Sequence, residues 1–319
     1  MQSFLRASFI SIINMESEID KHTSGWNFFS RFLFMRRRVV PRKFFAILCS
    51  LLIVFPIFNV HAQSKTAEVF PKEAPFTGFL QVGEELTYEV SYLSIALGTI
   101  KSKVKSIELV HGKPQYKVEV HIRSYDGIPF TTISTMFQST MTSKLVSTSF
   151  STREWYKDTI HKYINYTFDQ KKDVVYVSER YGEKEIRQNY DTLKLDDKDW
   201  QDGCSLLFYA RGNIFSKKKE HVPTLMYRSK ADTYIQFGVE RTSMEIDAVD
   251  YPVDVFKLEG DANFTGIFGL TGGFRGYFSA DSACVPIFAQ MKVIVGNVNL
   301  ELIKWKRTDW KPPRAEKSE

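Results

Sequence analysis

The sequence predicts an all-β, mostly antiparallel protein: a large twisted sheet curled into an open barrel or clam, with one short helix. Three observations carry this. Apolar and polar residues alternate through most of the chain beyond residue 82, most cleanly where Tyr116, Val118, Val120 and Ile122 interleave with Lys117, Glu119, His121 and Arg123. That period of two turns one strand face to a core and the other to water. Turn-forming residues recur at the spacing of an antiparallel meander, and only Asp199–Arg211 reads as a helix.

Taken in order, the domain opens at Gly83-Glu84-Glu85, where Leu86, Tyr88, Val90 and Tyr92 alternate with Thr87, Glu89 and Ser91. Gly98 is the expected turn into a second strand, Ile100–Val110, and His111-Gly112-Lys113-Pro114 is the next turn. Strands follow over Phe130–Thr140, Lys144–Lys157, Thr159–Phe168, Asp173–Arg180 and Glu183–Tyr190. In the helix, Asp199 or Asp202 can cap the start and Arg211-Gly212 marks the end. After Pro223, strands resume over Thr224–Ser229, Thr233–Val239, Thr242–Val249 and Val253–Glu259. A glycine-rich stretch, Asn263–Gly276, leads to Tyr277–Ala280, Val285–Val295 and Asn297–Lys306. The tail, residues 308–319, is polar and broken by prolines, so it is expected to fray.

Ahead of the domain, 83–307, stand a leader and a linker. Residues 35–62 place Arg36, Arg37, Arg38, Arg42 and Lys43 before an apolar run, Phe44–Val60, and close on Val60-His61-Ala62. That is the order of a secretory signal peptide, so cleavage after Ala62, leaving Gln63 as the N-terminus and a periplasmic or exported protein, is the expectation. The other reading keeps 44–60 as an inner-membrane anchor, at the short end of the roughly 17–25 residues that span a bilayer. Residues 1–34 read as a start assigned too early, with translation beginning at Met35, or as a cytosolic extension. Residues 63–82, with Pro71, Pro75 and Gly78, form the linker.

The leader also accounts for the charge. Removing the eight basic and three acidic residues of 1–62 from totals of 43 and 37 leaves 35 basic against 34 acidic. The remainder lacks the sustained basic footprint that nucleic-acid binding requires, so no nucleic-acid partner is expected.

Three places in the chain resemble a family of exported bacterial β-proteins, the domain of unknown function 3108 family. Gly83-Glu84-x-Leu86-x-Tyr88-x-Val90, followed by Gly98-Thr99, is similar to the family's opening hairpin. The helical segment Asp202-x-x-Ser205-Leu206-Leu207-x-Tyr209-x-Arg211 is similar to a D-x-x-S-x-x-Y-x-x-R pattern, with the aromatic and basic residues placed slightly differently. Phe278-Ser279-Ala280-Asp281-Ser282-Ala283-Cys284-Val285-Pro286 resembles a strand end reading S-D-D-x-x-R-I-P-V, with Ala283-Cys284 where a basic residue is usual. The resemblance covers most of 80–307 and implies a fold and an exported location, with no activity.

Chemistry is sparse by comparison. His111, His121, His161 and His221 show no zinc spacing, and no nucleophile elbow surrounds a serine, so neither catalytic residues, nor metal ligands, nor a cofactor are expected. Asp196, Asp197, Asp199 and Asp202 read as a solvated run before a helix. Cys204 and Cys284 remain after the leader is removed. A disulfide between them is open in an oxidising compartment, as are two buried free thiols. The glycine-rich stretch carries the one ligand expectation: Phe264, Phe268, Leu270 and Phe274, set among five glycines, read as an apolar lip over a cleft, against the plainer readings of a glycine-rich β-connection or a plug at the end of the barrel. The function expected is a non-catalytic envelope protein, binding an apolar or lipid-like ligand in the concave face of the sheet. The alternatives are a periplasmic hydrolase of envelope glycans, and a scaffold with an envelope protein partner and no ligand. An apolar interior favours the carrier, paired acids in a cleft the enzyme, and a filled core the scaffold.

Overall fold

The alternating segments become the strands of one 14-stranded antiparallel sheet in the computed structural model. The structure describes residues 77–316, except 129–131, 157–158, 183–186, 227, 264–271 and 294–295. The early start, the signal segment 35–62 and the linker up to residue 76 lie outside the described residues.

The first meander comprises β1 (Glu85–Tyr92), β2 (Ile95–Val110), β3 (Lys113–Ser124), β4 (Ser134–Thr142), β5 (Ser147–Tyr156), β6 (Thr159–Asp169), β7 (Val174–Tyr181) and β8 (Arg187–Lys194). Helix α1 (Ser205–Asn213) follows. The second meander comprises β9 (Lys219–Met226), β10 (Ser229–Met244), β11 (Val253–Ala262), β12 (Gly272–Ser279), β13 (Pro286–Lys292) and β14 (Asn297–Lys306). Strand order is β8-β7-β6-β5-β4-β3-β2-β1-β14-β13-β12-β11-β10-β9. First and last strands therefore form the central seam, paired from Glu85↔Lys306 to Tyr92↔Val298 with a shift of register between Thr87 and Tyr88. The two edges are β8 and β9, and α1 carries the chain from one to the other.

The helix is the core around which the sheet curls. Phe208, Tyr209 and Ala210 belong to one buried cluster with Val118, Phe137 and Ile164 of the first meander and Val222, Ile235 and Leu258 of the second. Each such large apolar side chain contributes roughly 1.5–3 kcal/mol on burial. Among the described residues β8 and β9 do not pair with each other, and side chains near these edges reach across: Arg228 meets Asp191, and Lys230 meets Asp196. The result is the expected curled, unclosed sheet with one helix. Val118 and Val120 face the core at 1% and 8% exposure, while Lys117 turns outward to Glu108.

The structure corrects several local expectations. The first turn is Leu93-Ser94, both at positive φ (48° and 64°), although neither residue favours that conformation. Gly98 lies inside β2 instead. A Cβ there would stand 2.3 Å from the Arg123 carbonyl oxygen of β3, so the glycine answers a close backbone approach. The two strands expected over Thr233–Val249 are one strand, β10, ending at Met244, whose pairing with β11 is interrupted between Gln236 and Glu240. Gly238, at φ 53°, sits at that irregularity. The tail is tied down: the Asp254 amide donates to the Pro313 carbonyl and the Ala315 amide to the Pro252 carbonyl. Trp310 packs edge-on against Trp305 and donates to Asp281 at 2.8 Å.

Candidate functional site

The buried polar residues converge at the two ends of α1. Arg211, in its last turn, is 1% exposed. Nη1 and Nη2 donate to the two carboxylate oxygens of Glu84 at 2.7 and 3.2 Å, a bidentate pair. Nε donates to the Cys284 carbonyl at 3.1 Å and Nη2 to that of Ala283 at 3.0 Å. The guanidinium lies 4.5 Å from the Phe79 ring centroid, an arrangement favourable for a cation on a desolvated aromatic face. Burial opposes the Arg211 charge, but the Glu84 carboxylate more than offsets it and holds the pKa above its ordinary value. Glu84, itself 2% exposed, also accepts from Arg307, which donates in addition to the Phe79 carbonyl at 2.8 Å.

The other end of the helix is fixed by Asp202. The helix begins at Ser205, six residues later than the sequence suggests, because residues 199–204 form its approach. Gln201 there bridges to Thr224 of β9, and Asp202 turns its carboxylate back on the first turn. It accepts from the amides of Cys204 (2.7 Å) and Ser205 (2.9 Å), and from the hydroxyls of Ser139 (2.6 Å) on β4 and Ser147 (2.5 Å) on β5. Burial raises the Asp202 pKa despite these four donors. The capping role expected of Asp199 or Asp202 thus belongs to Asp202, which also fastens the helix to the first meander.

The β12–β13 turn completes the arrangement. Ser279 Oγ donates to Asp281 (2.7 Å) and accepts from the Val285 amide (2.8 Å), and the Ala283 amide donates to Asp281 (3.0 Å). With Cys284 at φ 46°, this turn aims two successive carbonyls at Arg211. The three sequence stretches singled out above therefore meet at Arg211, with Glu84 from the first, Arg211 from the second, and Ala283 and Cys284 from the third, while Asp202 and Ser205 of the second fix the other end of α1. Glu84, Asp202, Ser205 and Arg211 are buried ties. The Tyr88 hydroxyl, buried nearby, has no hydrogen-bond partner among the described residues, and burial raises its pKa.

The expected ligand residues fare differently. Phe264, Phe268 and Leu270 lie outside the described residues. Phe274 is on β12, opposite Gly260, and a Cβ on Gly260 would come 2.2 Å from its ring. Its ring covers a bare patch of backbone and packs, partly buried, against the main core. Cys204 and Cys284 are buried free thiols and no disulfide joins them; burial raises both pKa values, Cys284 to about 12. Asp196 of the acidic run pairs with Lys230, while Asp202 is buried among donors.

Among the described residues, two depressions on the sheet surface stand out. The larger, about 470 Å³, is lined by Lys219, His221, Tyr234, Gln236, Glu259 and Asp261 among others. The smaller, about 120 Å³, is lined by Tyr163, Ser178, Glu179, Arg180 and Tyr190. Sequence reasoning missed the larger one because it is assembled across β9, β10 and β11, and no local spacing marks it.

The family described as "Protein of unknown function (DUF3108)" matches residues 87–303. No curated protein matches the chain. Among solved structures, the chain is similar to a beta-barrel-like protein of domain of unknown function DUF1849 from Brucella abortus (12% identity, TM-score 0.47, 72% of this chain and 98% of that one). It is also similar to a protein with YmcC-like fold from Bacteroides fragilis (10% identity, TM-score 0.33, 71% and 97%).

Proposed function

Since the chain belongs to the DUF3108 family of proteins of unknown function, we propose from its own residues that it is a non-catalytic, exported scaffold of the cell envelope, working through its outer surface. The observation that carries this reading is the filled interior. The concave side of the sheet is occupied by α1, whose Phe208 and Tyr209 are at most 2% exposed, and by Ile214 just after it, which is fully buried. The buried carboxylates Glu84 and Asp202 are held by structural donors, Arg211 and Arg307 for one and Ser139, Ser147 and the helix amides for the other. Groups bound in that way are poor general acids or bases, because a catalytic group must be free to exchange a proton with a substrate. The packing of Phe274 on the core favours the scaffold over a lipid carrier.

Export rests on the basic, apolar, small-residue order of 35–62. Intact-mass measurement of the protein from its native host tests it, with a mature N-terminus at Gln63 expected. A chain retaining Phe44–Val60 contradicts export and indicates an anchor. Mass spectrometry of lipid extracts separates scaffold from carrier. The scaffold carries no stoichiometric lipid, whereas one lipid retained per chain would restore the carrier reading.

A further inference from the structure

We propose that the face of β9, β10 and β11 around Tyr234 is a binding platform for a neutral saccharide chain. Residues two apart on a strand, and residues opposite one another on neighbouring strands, share a sheet face. The registers His221↔Tyr234↔Asp261 and Lys219↔Gln236↔Glu259 therefore put six polar or aromatic side chains on one face as a two-by-three grid. The opposite face carries Ile235 and Glu220, the latter bonded to Tyr209 of α1, so the grid faces away from the core. Tyr234, 54% exposed, is its aromatic centre. The His221 imidazole stacks on it at 5.0 Å between centroids and 22° between planes, and Asp232 pairs with that imidazole.

The neighbouring position on β12, opposite Asp261, is Gly273. A Cβ there would meet only a backbone oxygen at 4.0 Å, so among the described residues no side chain at this position walls off Asp261. The grid itself lines a depression of about 470 Å³, a size suited to a small ligand. Its chemistry selects the class. The electron-rich face of a tyrosine attracts the polarised C–H bonds of a sugar ring, and planar carboxylate, amide and guanidinium groups match vicinal hydroxyls as donors and acceptors. The charges are of mixed sign: Lys219 and Arg275 stand with Asp232, Glu259 and Asp261, and Glu259 is drawn to Lys257 at 2.8 Å and Arg275 at 3.4 Å. Such a lattice offers neither a polyanion nor a polycation a uniform field, and it suits an uncharged polyol. This inference deepens the envelope-scaffold reading by supplying what the surface holds, yet it stands on the purified domain alone, so failure of export leaves it intact and its own failure leaves export intact.

The test is calorimetric titration of the purified protein with two uncharged probes, maltotetraose and the tetramer of N-acetylglucosamine. At least one binds with a Kd of about 1 mM or tighter. Tyr234→Ala weakens that binding by about tenfold or more, Tyr234→Phe stays within about threefold, and Gly273→Val, which fills the open side, weakens it. Tyr176→Ala, an exposed tyrosine on β7, serves as control and leaves binding unchanged. Thermal melts confirm that each variant is folded. No binding of either probe by the unaltered protein overturns the proposal, as does binding that folded Tyr234→Ala retains in full.

Discussion

Around Arg211 the polar side chains are buried, and their partners lie as far as 228 residues away in sequence. Around Tyr234 they stand exposed on three adjacent strands, and their partners are near neighbours across the ladder. The first region uses its hydrogen-bonding capacity internally and joins α1 to the seam, to the β12–β13 turn and to β4 and β5. The second keeps much of its capacity facing solvent. The difference teaches that a recognisable polar motif in this protein marks where the fold is tied together, and that binding capacity lies where polar groups are left over.

Substitutions separate the two regions by size of effect. Arg211→Met removes the counter-charge of a buried carboxylate and is expected to cost about 3–5 kcal/mol of stability, read by urea denaturation. A cost near zero would mean that the ties around Arg211 are incidental. Phe274→Ser strips the ring from Gly260 and from the core edge. Because the site is only partly buried, the expected loss is about 2 kcal/mol, below that of a fully buried phenylalanine. No loss of stability would return Phe274 to the role of a free lip.

Asp202→Asn is a milder change, since an amide can still accept from the Cys204 and Ser205 amides and donate to the hydroxyls of Ser139 and Ser147. Its expected cost is about 1 kcal/mol near pH 4. The folded-state pKa of Asp202 is raised, so the folded protein holds this proton more tightly than the unfolded chain does. The stability linked to it is fully present below the unfolded value of 3.8 and is lost as pH rises through the folded value. The stability advantage of the native protein over Asp202→Asn should therefore be largest near pH 4 and shrink toward neutrality. An advantage that grows with pH would contradict the assignment. Tyr234→Ala closes the series at about 0.5 kcal/mol or less, since an exposed side chain contributes to binding and little to folding; a loss above 2 kcal/mol would make the platform part of the core.

Much of the architecture was legible in the sequence because strand faces are written locally. Val118 and Val120 are buried where the alternation places them, and the His111-Gly112 turn has the two positive φ values that its residues suit. What escaped was decided by distant neighbours. Leu93 and Ser94 are driven to positive φ by the registers on either side of them, and Gly98 is required by the β3 backbone. The start of α1 shifted because Asp202 bonds to serines on β4 and β5 as well as to the helix. Glu84 and Arg211 stood inside quoted motifs, yet nothing within either motif pairs them. The tail looked frayed because its ties, to Pro252 and Asp254, lie about sixty residues back along the chain. The Tyr234 grid was invisible because register alone creates it.

The most direct test of the central claim is a double-mutant cycle on Glu84 and Arg211, using Glu84→Gln, Arg211→Met and the pair, each followed by urea denaturation. Two groups that form one buried tie are strongly non-additive. The expected coupling is about 2–3 kcal/mol, with the double variant little worse than either single one and saccharide titration at Tyr234 unchanged in every folded variant. Additive losses with a coupling below about 0.5 kcal/mol would contradict the claim that the sequence motifs meet to hold the fold.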